Sequence, residues 1–160
     1  MSGVFHYSIL LFALGVPPSL AAEGAGRQMN LQYNPRLILE AVAARMNIVL
    51  DRDIVFPTIL MGSATPIHRF QDAVEMQWRS RPNAISNVYV IERNEIYLSN
   101  DASGYAGTER TLDEALAHEF VHYLQVHYLK EDFSSDGAEM QAVAVQSWFR
   151  EARATSTRAD

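Results

Sequence analysis

The 160-residue chain contains no cysteine, which excludes both a disulfide framework and a thiolate metal site. Any metal it binds must therefore be held by His, Asp or Glu. Basic charge is also scarce: Lys130 is the only lysine, the arginines are scattered, and the formal net charge is -6. Binding to phosphate backbones calls for the opposite balance, so no nucleic-acid partner is expected. Long apolar runs are missing too. The stretch from Val4 to Val16 is broken by His6, Tyr7, Ser8 and Gly15. It is shorter than the about 20 residues of a transmembrane helix, so no stable membrane span is expected.

What the chain does have is the balance of a folded protein, with 48% hydrophobic and 20% charged residues. Its length fits one domain and a leader. The Val4–Val16 run is followed by Pro17-Pro18 and then Ser19-Leu20-Ala21-Ala22. A short hydrophobic region before small residues reads as a signal peptide over residues 1–22, although no Lys or Arg precedes the run. Export to the periplasm or the medium is the expectation, leaving residues 23–160 as the mature domain.

Along that domain, Glu23 to Gln32 reads as a lead-in. Asn34-Pro35 opens a helix running to about Met46, with Asn as cap and Pro at the first helical position. Ile48-Val49-Leu50 reads as a short buried strand, and Asp51 to Met61 as irregular or extended. A second helix is expected from Pro66 to about Arg79, where Phe70, Ala73, Val74 and Trp78 recur at helical spacing. Val88 to Glu92 and Glu95 to Ser99 read as the arms of a hairpin turned by Arg93-Asn94. Thr111-Leu112-Asp113-Glu114 matches a capping box ahead of a long helix to Leu129. Phe133 to Gly137 reads as a loop, Ala138 to Ala152 as a third clear helix, and Thr155 to Asp160 as a frayed tail.

Within the long helix lies His118-Glu119-Phe120-Val121-His122. Residues four apart lie about 40° apart around a helix and one turn apart along it, so both imidazoles can face one ion. Glu119 flanks the same space without being a ligand, placed to take a proton from a water that zinc activates. A catalytic zinc site wants a third protein ligand and an open fourth position. Glu139, seventeen residues after His122 and in the first turn of the next helix, is the leading candidate; Asp136 is the competitor. His127 would point away round the helix. Tyr105, Tyr123 and Tyr128 could offer a phenol to an oxyanion, but tyrosines so placed are more often packing groups. Asp113 and Asp136 are candidates for orienting a ligand imidazole through its second nitrogen.

From about residue 88 to 150 the sequence resembles the gluzincin clan of zincin metallopeptidases, on H-E-x-x-H and the downstream Glu139-Met140-Gln141-Ala142. A metzincin would need Gly at 125 and His at 128, where this chain has Gln125 and Tyr128. The resemblance implies an α+β, zincin-like minimal domain, its small sheet or hairpin packed on the active helix. It implies Zn2+ as cofactor, with His118, His122 and Glu139 as metal ligands and Glu119 as the catalytic base. A peptide or protein substrate would add as a strand along Ile96, Tyr97 and Leu98, taken as an edge strand. The alternative is an exported, non-catalytic domain that binds metal or a partner protein and keeps the same helix.

Overall fold

A computed structural model describes residues 26–132 and 135–156. The expected signal peptide and the last four residues lie outside that range. Four helices and a three-stranded sheet make a small α+β fold: α1 (Pro35–Arg45), β1 (Thr58–Met61), α2 (Ile67–Trp78), β2 (Val88–Val90), β3 (Glu95–Leu98), α3 (Leu112–Leu124) and α4 (Asp136–Ser156). A π turn, Gln125–Leu129, prolongs α3.

Local chemistry sets the boundaries. Asn34 Oδ1 accepts from the Arg36 amide and Pro35 follows it, so α1 starts where its free N–H groups are met or missing. It ends with Asn47 at φ 55, while Ile48 N–H reaches back to Ala43 O and Asn47 N–H to Ala44 O. That pair of bonds is the left-handed helix stop that asparagine tolerates. The stop delivers Ile48-Val49-Leu50 as irregular chain and not as the expected strand. Ile48 and Leu50 rest on the core while Val49 is 88% exposed, and no strand among the described residues pairs with this segment. The strand in this region is β1, eight residues further on.

The sheet order is β1-β3-β2, with β1 parallel and β2 antiparallel to β3. The hairpin turn places Asn94 at φ 47, the conformation expected of it. Alternation divides the sheet between two layers. Tyr97 and Val90 face α2, packing on Phe70, Ala73 and Val74. Ile96, Leu98 and Tyr89 face the other way, into the main core formed by α1, α3 and α4.

At the centre of that core is α3, which contacts α1, α4, β2 and β3. Every residue of it but His118 is buried. A helix apolar all round can sit in a core without further provision; this one also buries Asp113, Glu114, Glu119 and His122, each of which needs a partner. Two have structural ones. Asp113 accepts from the amides of Gln32 and Tyr33, fastening the lead-in segment to the helix start. Glu114 receives Arg150 Nε at 3.1 Å from α4. The other two, Glu119 and His122, belong to the site.

Candidate metal centre

The His118 and His122 side chains leave one face of α3 with their Nε2 atoms 3.1 Å apart. Glu139, in the first turn of α4, straddles them: Oε1 is 3.5 Å from His118 Nε2 and Oε2 is 3.4 Å from His122 Nε2. Donors sharing one small tetrahedral ion at about 2.0–2.1 Å stand about 3.3 Å apart, so all three separations fit such an ion. These three residues form a group able to hold a metal, and no fourth His, Asp or Glu joins it among the described residues. Asp136 begins α4 outside the group, so of the two candidates on that helix it is Glu139 that meets the histidines.

Burial is graded across the group. His122 is 8% and His118 16% exposed at the side chain, whereas Glu139 is 57% exposed. Approach from solvent is therefore on the α4 side. Glu119 is buried beneath, with the Tyr89 amide of β2 facing its carboxylate. Burial raises its pKa; the two imidazoles and the Tyr89 amide oppose that rise, and Glu139 adds to it. For His118, burial would favour the neutral ring, but Glu139, Glu119 and Gln146 outweigh it and the pKa is raised. The two imidazoles beside it, His118 first, hold the Glu139 carboxyl far below the usual carboxylate range. A buried carboxylate beside two imidazoles can exchange a proton with a group between them, and the exposed carboxylate completes a ligand set.

The second nitrogens of the two imidazoles have neutral amide partners. His122 Nδ1 is 2.9 Å from Gln125 Oε1, and His118 Nδ1 is 3.3 Å from Gln146 Oε1. Asp113 and Asp136, the expected carboxylate partners, do neither job. Gln125 lies three residues beyond His122 on the same helix, where i,i+3 side chains meet, and that spacing was the available signal. Gln146 lies on α4, and nothing local to either histidine points to it.

The expected substrate strand needs correction. Ile96, Tyr97 and Leu98 lie fully buried in β3, the central strand; β1 pairs all three and β2 pairs Ile96 and Tyr97. A central strand has no free edge to receive a peptide. The outer edge of β2 is also engaged: Gln77 Nε2 donates to Tyr89 O at 3.2 Å and Gln77 Oε1 accepts from Ile91 N–H at 2.7 Å. One carboxamide thus takes the place of a neighbouring strand. The three tyrosines are likewise committed. Tyr105 donates to Ser99 O, Tyr123 to Val55 O, and Tyr128 accepts from the Asp51 amide. His127 bonds the Tyr89 hydroxyl at 2.7 Å, apart from the metal group.

No protein-family model, curated protein or solved structure matches the chain. What the fold and site define is a small α+β domain whose buried helix and exposed carboxylate converge on one possible metal position. None of its described helices is long and apolar enough to cross a membrane.

Proposed function

We propose that the chain is a zinc-dependent metallopeptidase of the gluzincin type, exported by means of the leader at residues 1–22. The observation that carries this reading is the convergence of His118, His122 and Glu139, with no fourth His, Asp or Glu joining them among the described residues. Two neutral imidazoles and one carboxylate are a donor set of catalytic zinc sites, whereas structural sites close all four positions with protein. When bound there, zinc would supply Lewis acidity, polarising a scissile carbonyl and lowering the pKa of water to about 7.

The protein's own residues do the rest. Glu119, rigid on α3 and inclined by burial to hold a proton, takes one from the attacking water and delivers it to the departing amine. His118, His122 and Glu139 fix the position at which that exchange happens. Substrate reaches it from the side of the exposed Glu139, because Ile96–Leu98 cannot receive a strand. The peptide is then bound by contacts other than addition to β3.

The non-catalytic metal-binding reading draws support from one feature, the burial of Glu119 against the Tyr89 amide, which removes it from bulk water. The mature domain, purified as wild type, His122→Ala and Glu119→Gln, separates the two. About one zinc per chain in wild type and Glu119→Gln but not in His122→Ala, with cleavage of an unfolded protein substrate by wild type alone, supports the peptidase. Zinc without cleavage in any of the three supports the binding domain. Wild type that takes up no zinc sinks both.

A further inference from the structure

Gln125 opens the π turn at the end of α3 and is wholly buried, yet its carboxamide has every polar atom engaged. Nε2 donates to Ala138 O at 2.9 Å and to Gln141 Oε1 at 2.9 Å, while Oε1 stands 2.9 Å from His122 Nδ1. The way round of this amide follows from chemistry. A backbone carbonyl only accepts, so the atom facing Ala138 O must be the nitrogen, and the oxygen must face His122. An amide oxygen also only accepts, so His122 Nδ1 carries the proton of the neutral ring. The Nε2 lone pair is then left facing His118 and Glu139. The two Nε2 atoms stand 3.1 Å apart, a separation that two ligands of one ion would keep.

The second anchor matters equally. Ala138 immediately precedes Glu139. The same side chain that orients His122 therefore ties down the first turn of α4, from which the carboxylate ligand projects. Gln146 serves His118 through a longer contact and holds no backbone among the bonds it makes there.

We propose that Gln125 is the positioning residue of the metal centre, fixing the tautomer of His122 and seating Glu139 opposite it. This rests on reading His118, His122 and Glu139 as metal ligands. Losing the outer partner of a metal-bound histidine weakens metal affinity by about 10–100-fold in other sites.

The test uses the mature chain as wild type, Gln125→Leu and Gln125→Glu. Zinc affinity is measured by chelator competition, and imidazole nitrogen spectra of the metal-free protein report which ring nitrogen holds the proton. Wild type is expected to show His122 protonated at Nδ1. Gln125→Leu is expected to bind zinc about 10–100-fold more weakly and to show mixed tautomers at His122. Gln125→Glu, which keeps an acceptor for Nδ1 but cannot donate to Ala138 O, should restore the tautomer and recover only part of the affinity. Proton on Nε2 of His122 in wild type overturns the proposal, and needs no variant to fold. Wild-type affinity and a single tautomer in Gln125→Leu overturn it as well. If wild type binds no zinc, the metal reading fails on its own, while the tautomer measurement still judges Gln125.

Discussion

Replacing Asp113 by alanine should be among the most damaging single changes outside the metal centre. Its carboxylate is fully buried at the start of α3 and receives the Gln32 amide at 3.0 and 3.1 Å and the Tyr33 amide at 2.8 Å. Arg153 Nη1 stands 3.7 Å away. Hydrogen bonds to a charged acceptor contribute about 1.5–3 kcal/mol each, and those amides would be left without it. A carboxylate in the first turn of a helix adds about 0.3–1 kcal/mol through the macrodipole. The terms overlap, because one charge serves them all, so the expected loss is about 3–5 kcal/mol rather than their full sum. Against a domain stability of about 5–15 kcal/mol, that is a large fraction. Asp113→Asn keeps one acceptor oxygen without the charge and should cost about 1–2 kcal/mol. Urea unfolding of the three proteins, each with chelator present, gives the comparison. A loss below about 1 kcal/mol for Asp113→Ala would refute the claim that this carboxylate fastens Gln32 and Tyr33 to the core.

Two predictions concern pH. Metal uptake should release the proton that His118 holds above the ordinary histidine range, so zinc affinity should weaken as pH falls through that raised value. Glu139 stays ionised far below it, so affinity lost only below about pH 4, in the carboxylate range, would contradict the assignment. At the other end, burial pushes the Tyr123 phenol up to about 12 and Tyr89, stacked edge-on against it at 5.7 Å, higher still. A raised phenol pKa means that folding favours the neutral form. The stability it supplies is whole below the unfolded value of about 10 and is lost as pH rises through the folded one. Unfolding should therefore become easier between about pH 10 and 12, in step with the appearance of tyrosinate absorbance. Tyr123→Phe should blunt that alkaline loss.

Helix starts were the most legible part of the sequence because their chemistry is local. Asn34-Pro35 and Thr111 cap α1 and α3 as their side chains suggest, and Thr111 Oγ1 accepts from the Glu114 amide at 3.3 Å. The capping box is nonetheless not closed in the expected way. Glu114 turns one oxygen to Thr111 Oγ1 and gives the other to Arg150, 36 residues away. In a buried position a charged partner from α4 outcompetes a neutral backbone N–H, and the sequence around Glu114 carries no trace of it. The ligand pair on α3 was legible for the same reason as the caps, since helical spacing alone brings His118 and His122 together. Glu139 required only that α4 fold back along α3.

The sheet shows where local reasoning stops. The hairpin of β2 and β3 is visible in two alternating runs and Asn94, but the rank of β3 within the sheet depends on β1, whose pairing register Thr58 with Glu95 spans 37 residues. Pro57, which counts against a long helix here, directly precedes β1. At the first residue before a strand it removes no ladder bond, because the pairing begins with the Thr58 amide on Asn94 O. Once β1 docks, β3 has a strand on either side, and the edge imagined at Ile96–Leu98 cannot exist. Gln77 then completes the argument from the other side. It lies on α2, read correctly as a helix, yet its amide closes the edge of β2 where Tyr89 also faces Glu119. Fixing Tyr89 on its carbonyl side fixes the amide that meets the buried carboxylate. The strand beside the buried carboxylate is therefore braced by a helix from the opposite face of the sheet.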